Sequence, residues 1–344
     1  MTSRERVLRT FRFEQTDHVA CDLMESCVWP ELETYFREHH GLEDRPQILS
    51  FLGTDFHWAG MDYSGPEHRP DAAVTPAEAL SRPVVEGPLK DARTVADVEA
   101  YDWADPAWWQ PQDYAAKRAL WQDHALVLGT GWSPLFWGAC EAFGVEAALV
   151  NLLTRPVLFD AFVHLRHEFT MDILRRGLSA AQGHCDICWL GDDFSTQQSM
   201  FLSPDHWRKH IKPCLAEQVR LAREHGLLVL YHSCGAVRPV LGDLIDIGVN
   251  SLLVFQTTAA GMDAASIANE FGGRLAFYGG MDVQQLLSYG SVEEVRETVR
   301  ANVRAFEKCG GYVVANSHHR VATIRGENVV AMCRAAKECS FSVR

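Results

Sequence analysis

Short apolar runs alternate with longer segments of helical pattern from about residue 125 onward, and this alternation limits the fold more than any other feature. The runs have four or five residues and are apolar almost throughout, as is typical of strands buried on both faces of a parallel sheet. They cover residues 125–129, 186–190, 227–231, 251–255, 275–278 and 312–315. Ser203-Pro204 predicts the start of a helix that reaches about Glu224, and Ser291 with Glu294 predicts another start. Such strand–helix units favour a parallel sheet with right-handed crossovers.

One further strand is predicted at residues 18–22, and an eighth within residues 64–112, a segment rich in Pro, Asp and Trp. We interpret 64–112 as an excursion over the surface with a small hairpin, because proline serves neither helix interiors nor central strands. Seven or eight units predict an α/β protein with a (β/α)8 TIM barrel, a single domain over residues 1–344. A doubly wound open sheet is the alternative, but no G-x-G-x-x-G follows a strand, so dinucleotide binding lacks its signature.

Charge and apolar patterning exclude several classes of protein. The chain has 32 Lys+Arg against 45 Asp+Glu, a formal net charge of −13. That balance argues against a general binder of nucleic acid or of anionic membranes, because both need a basic surface. No uncharged apolar run reaches the roughly 18 residues of a membrane-spanning helix, and residues 1–6 lead into an amphipathic pattern. We therefore expect a cytoplasmic enzyme whose ten cysteines are reduced.

Polar side chains follow most of the predicted strands. In a TIM barrel the carboxyl ends of the strands form the active site. Carboxylates, imidazoles, a thiol and amides occupy these positions, at Asp192, Asp193, His232, Cys234, Gln256, Asp282, Asn316 and His318. We expect these side chains to converge on one face of the barrel.

His232 and Cys234 form the sharpest local motif. Residues i and i+2 at a strand end point to the same side, so imidazole and thiolate can reach one zinc ion, which takes N and S ligands at about 2.0–2.3 Å. His318 is the candidate third ligand, and Asp192, Asp282 or water can take the fourth position. The alternative is a histidine bonded to a backbone carbonyl beside a small buried thiol.

The other strand-end residues are assigned to catalysis and substrate binding. Of Asp192 and Asp193, one is expected to face the barrel mouth and the other to cap the next turn; the alternative is that both are turn residues. We expect Asp192 and Asp282 to be catalytic, and Asp193, Gln256 and Asn316 to bind substrate. Histidines spaced i, i+3 or i, i+4 on outer helices are expected to lie on solvated faces, at His164, His167, His206 and His210.

Many short motifs, in order along nearly the whole chain, resemble the uroporphyrinogen decarboxylase superfamily. They lie at residues 4–6, 17–19, 88–91, 191–198, 203–204, 211–213, 232–235, 246–249, 279–282, 310–312 and 327–328. The resemblance implies a (β/α)8 barrel with its site at the carboxyl ends of the strands. It also implies one of two chemistries: decarboxylation of uroporphyrinogen without a cofactor, or zinc-dependent methyl transfer between a methyl-corrinoid protein and a thiol or another carrier.

Two departures from the decarboxylases favour the methyltransferase branch. The decarboxylases bind the carboxylates of their substrate with an arginine-rich segment near the N-terminus, but residues 23–30 contain no arginine. A porphyrinogen with eight carboxylates needs such cationic partners. The tyrosine region of the decarboxylases corresponds to residues 132–137, which contain no tyrosine.

The third ligand of the zinc methyltransferases is a cysteine, and His318 occupies the corresponding place here. One thiolate with two imidazoles would leave zinc with a net charge of +1, which suits activation of an ether or amine leaving group, or of water. We therefore expect a zinc methyltransferase with His232, Cys234 and His318 as ligands, a small-molecule methyl donor or acceptor, and a partner protein that carries the corrinoid. A homodimer is implied only by the resemblance.

Two other functions stay open at this point. The first is a metal-free decarboxylase for a carboxylated substrate, in which Asp192 stabilises a developing cation and His318 binds a carboxylate. The second is a partner or scaffold of a corrinoid protein that has kept the barrel and lost the chemistry.

Overall fold

The main sheet of the protein is parallel and has seven strands. The computed structural model describes residues 1–24, 28–66, 87–132, 134–318 and 323–343. The strands of that part of the chain are β1 (Phe56–Ala59), β2 (Met61–Tyr63), β3 (Trp109–Pro111), β4 (Ala125–Gly129), β5 (Ile187–Gly191), β6 (Leu228–His232), β7 (Ser251–Phe255), β8 (Ala276–Met281) and β9 (Tyr312–Asn316). The main sheet has the order β1-β4-β5-β6-β7-β8-β9, and β2 pairs with β3 in a separate antiparallel sheet. The expected α/β class and parallel sheet are therefore confirmed.

Helices connect the strands of the main sheet. Within the described ranges they are α1 (Ser3–Phe11), α2 (Pro30–His40), α3 (Arg45–Leu52), α4 (Val95–Glu99), α5 (Tyr114–Leu120), α6 (Phe136–Phe143), α7 (Val145–Thr154), α8 (Pro156–Ala181), α9 (Pro204–His210), α10 (Lys212–Glu224), α11 (Leu241–Ile247), α12 (Ala264–Phe271), α13 (Leu286–Tyr289), α14 (Val292–Phe306) and α15 (Gly326–Lys337). None of them is both long and apolar enough to cross a membrane alone, although α6 and α7, joined at a bend of 112°, pass that test as a pair.

Two of the predicted helix starts are confirmed. The Ser203 side chain accepts the His206 N–H at the start of α9, and Ser291 with Glu294 forms a capping box at the start of α14. The single helix expected from Ser203 to Glu224 is instead two helices, which meet at Ile211. Pro213 explains the break, because proline lacks an N–H and is tolerated only in the first turn of a helix.

Residues 20–22 lie beside both edges of the main sheet. Cys21 makes an isolated parallel bridge to Val314 of β9, with backbone bonds of 2.9 Å from Val314 N to Ala20 O and of 3.0 Å from Asp22 N to Val314 O. The N–H of Asp55, just before β1, donates to Cys21 O at 2.9 Å. The strand predicted at 18–22 is thus a single bridge. An additional strand within 64–112 is not found in the main sheet among the described residues, and residues 67–86 lie outside them.

Inward and outward side chains alternate along the strands and form two buried clusters. Ile187 and Trp189 of β5 belong to the inner cluster, with Phe56 and Tyr278. Cys188 and Leu190 belong to the larger cluster between the sheet and the helices. This period of two directs every second residue of a strand toward the inner cluster, which positions the candidate site.

The expectation of solvated histidines on the outer helices is wrong for His167 and His210. Both are buried, because α8 packs against α9 and α10. His210 Nδ1 lies 2.5 Å from Asp160 Oδ1, and His167 Nε2 lies 3.0 Å from Glu217 Oε2. These histidines therefore join helices to one another.

Candidate metal centre

Three potential metal ligands meet at the carboxyl ends of β5 and β6. Gly191 of β5 pairs with His232 of β6, so the residues that follow them leave the sheet at the same edge. The ligand atoms of Asp193, His232 and Cys234 all lie within 4.8 Å of one another. His232 Nε2 is 3.6 Å from Cys234 Sγ and 3.6 Å from Asp193 Oδ1. His232 is buried, while the other two are partly exposed. Oxygen, nitrogen and sulfur donors thus converge on one point.

The loop after β6 is held in place by backbone contacts. The Cys234 N–H donates to Asp193 Oδ1 at 3.0 Å, and the Ser195 hydroxyl donates to the carbonyl of Cys234. Gly235 has a φ of +84°, and a Cβ there would lie 2.3 Å from Thr196 O. Only glycine fits both the left-handed backbone and this close approach. Asp193 therefore orients the backbone of the same cysteine whose sulfur it faces.

Gln256 and Asn316, predicted to bind substrate, use their amide groups on the protein backbone. Gln256 is buried; its Oε1 accepts the Gly235 N–H at 2.8 Å and its Nε2 donates to Ser317 O at 3.2 Å. Asn316 Oδ1 accepts the Met24 N–H at 2.8 Å. Gln256 thus connects the loop after β6 to the residue after β9, and Asn316 connects the end of β9 to residue 24. Their direct contact with substrate stays a prediction.

The adjacent carboxylates Asp192 and Asp193 have different surroundings. Asp192 is 2% exposed, and its two oxygens accept the N–H groups of Phe136 at 2.7 Å and Trp137 at 2.9 Å, at the start of α6. Burial raises the pKa of Asp192 to about 7, against the opposing effect of these hydrogen bonds. Asp192 thus attaches α6 to the end of β5, whereas Asp193 faces His232. A catalytic role for Asp192 stays a prediction.

The group of potential metal ligands found among the described residues includes neither Asp282 nor His318. The Asp282 carboxylate accepts the N–H groups of Gln284 at 3.2 Å, Gln285 at 2.8 Å and Leu286 at 3.2 Å, which caps the turn after β8. His318 follows the end of β9 and is partly exposed. Among the described residues, Asp193 is the third potential ligand beside His232 and Cys234. A ligand role for His318 therefore stays a prediction.

Two tryptophans pack against the imidazole of His232. The ring centroids of Trp132 and Trp189 lie 5.3 Å and 6.1 Å from that of His232, at interplanar angles of 78° and 82°. A Cβ at Gly191 would lie 2.9 Å from both His232 Cβ and Trp132 Cζ3, so glycine is required for this packing. Sequence reasoning missed these indoles, although Trp189 lies at an inward position two residues before the end of β5.

A comparison with models of protein families identifies the family of the chain. Residues 75–339 match the family described as Uroporphyrinogen decarboxylase (URO-D), which is well over half of the sequence. The chain belongs to the uroporphyrinogen decarboxylase family. The resemblance seen in the sequence motifs is therefore confirmed. No curated protein matches the chain.

Solved structures with a similar fold include a methyltransferase from Methanosarcina mazei, with a TM-score of 0.66 and 17% sequence identity. That alignment covers 98% of this chain and 99% of the other. The likeness at this identity shows a shared fold. A D-psicose 3-epimerase from Clostridium cellulolyticum has a TM-score of 0.40 at 11% identity, over 86% of this chain and 91% of the other. A GH18 chitinase from Flavobacterium johnsoniae has a TM-score of 0.40 at 6% identity, over 87% and 92%.

Proposed function

We propose that this member of the uroporphyrinogen decarboxylase family is a zinc-dependent methyltransferase of a corrinoid-linked methyl-transfer or demethylation system. The observation that carries the proposal is the convergence of Asp193, His232 and Cys234 where β5 and β6 end. Carboxylate, imidazole and thiolate are the ligand types that zinc takes in proteins. Two of the three are partly exposed, and catalytic zinc sites differ from structural ones in leaving a position open.

The donor set differs in charge from the one expected from sequence. Zinc held by one carboxylate, one thiolate and one neutral imidazole would have no net charge, and it would lower the pKa of a bound thiol or water while leaving the deprotonated form nucleophilic. With Asp193 in place of His318, the acidic ligand replaces the second thiolate of the related zinc methyltransferases. A thiol acceptor is therefore compatible with this site.

The protein's own contribution is to hold the donors in position. The Cys234 N–H bond to Asp193 keeps carboxylate and thiol on the same side of His232. Trp132 and Trp189 restrict rotation of the His232 ring. Gln256 connects the loop of Gly235 to the end of β9. Such outer contacts orient ligands and tune their affinity.

The same proposal includes a complete (β/α)8 barrel. Residues 20–22 would take the place of the eighth strand, supported by their hydrogen bonds to Val314 and Asp55. The candidate centre would then lie at the mouth of a closed barrel, where active sites of this fold are found.

Metal analysis of protein purified without chelator tests the ligand set. We expect stoichiometric zinc in the wild type and its loss in Asp193→Ala, His232→Ala and Cys234→Ala. His318→Ala distinguishes the two ligand sets, because zinc is retained if Asp193 is the third ligand and lost if His318 is required. Cys214→Ala is the matched control, since this buried cysteine lies on α10. Zinc content that does not respond to Cys234→Ala would refute the metal centre.

A transfer assay tests the reaction. Methylcobalamin serves as the methyl donor and 2-mercaptoethanol as the acceptor, and loss of the methyl–cobalt absorption follows the rate. We expect turnover by the zinc-loaded wild type and none by Cys234→Ala. Release of carbon dioxide from uroporphyrinogen by zinc-free protein, without methyl transfer, would instead identify a decarboxylase.

A further inference from the structure

Residues 195–200, which we call the strap, form a small hairpin in the loop after β5. Ser195 and Met200 make an isolated antiparallel bridge, and the Thr196 N–H donates to Ser199 O at 2.8 Å. The Thr196 hydroxyl oxygen also accepts the Ser199 N–H at 3.2 Å. The turn thus satisfies backbone groups of its own, and the strap is a self-contained unit.

The strap contacts the loops that follow the next three strands of the sheet. The Ala236 N–H, after β6, donates to Thr196 O at 2.8 Å, and the Ala260 N–H, after β7, donates to Gln197 O at 2.8 Å. Gln197 Nε2 donates to Gln284 Oε1, after β8, at 3.2 Å. Because β5, β6, β7 and β8 are consecutive neighbours in the sheet, the strap extends past the carboxyl ends of β6 and β7.

Cys234 lies at the near end of the strap. The Ser195 hydroxyl donates to the carbonyl oxygen of Cys234, and Asp193, just before the strap, accepts the Cys234 N–H at 3.0 Å. A Cβ at Gly235 would lie 2.3 Å from Thr196 O, so the strap and the loop after β6 approach each other as closely as two backbones can. The near end of the strap is therefore fixed beside the candidate centre.

The two residues that flank the strap are anchored by aromatic packing. Phe194 is buried against Trp207, with ring centroids 5.5 Å apart, and Phe201 lies 6.0 Å from Phe136. The Phe201 N–H donates to Phe194 O at 2.9 Å. This anchored pair is the place about which the strap can pivot.

The far end of the strap, residues 197–199, is held mainly by hydrogen bonds. Its side chains are polar, and Gln198 and Ser199 are exposed. Behind it is a cavity of about 450 Å³, lined by these two residues and by Ala236 and Ala260 of the loops after β6 and β7. Segments with few buried apolar contacts belong to the least stable parts of a fold. The far end can therefore open while the near end stays in place.

We propose that the strap is a lid over the candidate centre. Opening breaks the contact between Gln197 and Gln284 and the bond from the Ala260 N–H, and it widens the access of reagents to Cys234. A lid of this kind excludes water while it is closed and admits substrate when it opens. Residues 195–200 contain no charged side chain, so the lid itself does not select substrates by charge. This inference rests on the proposed function, because it assigns the control of access to that same site.

Reaction of the Cys234 thiol with fluorescein maleimide, a bulky reagent, measures opening of the lid without zinc or methyl transfer. Full-length, chelator-treated protein is used, and mass spectrometry follows the rates at Cys234 and at Cys309, which is also partly exposed and is the internal control. Loss of one side-chain hydrogen bond shifts an equilibrium by about three- to tenfold. We therefore expect Gln197→Ala and Gln284→Ala each to raise the rate at Cys234 about three- to tenfold and to leave Cys309 unchanged.

The double variant separates this contact from a general loosening of the fold. If the two amides act through each other, Gln197→Ala with Gln284→Ala should react at the rate of either single variant, because the second substitution removes nothing further. Gln47→Ala is the matched control, since this exposed glutamine accepts the Glu43 N–H at 2.8 Å near the start of α3. Hydrogen exchange gives a second measurement, because the Ala260 amide should exchange faster in both single variants.

Unchanged rates at Cys234 in both Gln197→Ala and Gln284→Ala would overturn the assignment, as would effects that multiply in the double variant. An equal increase at Cys309 would also overturn it, because the whole fold would then be loosened. Faster reaction of Cys234 in variants of a protein that binds no zinc would support the lid while refuting the proposed metal centre. Stoichiometric zinc with unchanged reaction rates would do the reverse.

Discussion

Replacing Gln256 with leucine separates the positioning of the candidate metal ligands from the stability of the fold. Gln256 is 8% exposed and connects the loop after β6 to the end of β9. Leucine has nearly the same volume but can neither accept the Gly235 N–H nor donate to Ser317 O. The loop that contains Cys234 would then lose its contact with the neighbouring strand end.

The free-energy cost follows from the two groups left without partners. A buried donor or acceptor that loses its hydrogen bond costs about 1–3 kcal/mol. Two such groups are left without partners, while burial of the apolar leucine side chain contributes about 1 kcal/mol in the opposite direction. The free energy of unfolding should therefore fall by about 2–4 kcal/mol. Loss of an outer contact of this kind lowers metal affinity by about 10- to 100-fold. Gln256→Leu should therefore weaken zinc binding strongly while the protein stays folded.

Competition with a chromophoric zinc chelator measures the affinity, and urea denaturation followed by circular dichroism measures stability. The matched control is Gln218→Leu, because Gln218 is equally buried but lies on α10, where its amide donates to His167 Nδ1 at 3.3 Å. The control should lose about 1 kcal/mol of stability and no zinc affinity. Wild-type zinc affinity in Gln256→Leu, together with the expected loss of stability, would refute a positioning role for this amide.

Three further predictions concern other parts of the molecule. Burial and the nearby His124 lower the pKa of His57 to about 3, so the folded imidazole stays neutral while the unfolded one, with a pKa of about 6.5, takes up a proton. The contribution of neutral His57 to the free energy of unfolding is therefore complete above pH about 6.5 and decreases as the pH falls, by about 2 kcal/mol at pH about 5. Urea denaturation of the wild type and of His57→Phe at these two pH values measures the difference. Equal loss of stability in acid for both proteins would count against this reasoning. Gly191→Ala places a methyl group 2.9 Å from both His232 Cβ and Trp132 and should weaken zinc binding at least about tenfold without unfolding the protein. Asn328 donates to three backbone carbonyls within 3.5 Å. Asn328→Leu should therefore lower the free energy of unfolding by about 2 kcal/mol, and a melting temperature equal to that of the wild type would contradict this.

Six of the seven strands of the main sheet could be predicted because local patterns determine them; β1 (Phe56–Ala59) was not predicted. Runs such as 125–129 and 251–255 coincide with β4 and β7, since continuous apolar sequence between polar turns suits a strand buried on both faces. The capping residues of α9 and α14 were equally local signals. His232 and Cys234 could be brought together for the same reason, because the period of a strand is two.

The choice between Asp192 and Asp193 could not be predicted from sequence. It depends on α6, whose first N–H groups bind Asp192 and leave Asp193 facing His232. Residues 136 and 137 are distant in sequence, and no local pattern identifies which of two adjacent carboxylates a helix will bind. Trp132 was missed for a related reason, because it lies in a loop, where no strand period indicates its direction.

The bridge between Cys21 and Val314 has a consequence for the order of folding. In the described part of the chain, residues 20–22 join the sheet through β9 and through the residue before β1. The Val19 N–H also donates to Cys339 O at 2.9 Å. During synthesis, residues 19–22 leave the ribosome long before β9 exists. The nascent sheet must therefore keep one edge unpaired until the last strand emerges, and an unpaired edge is a site for association with other chains. Binding of chaperones to the nascent chain should thus be strongest just before β9 has been synthesised.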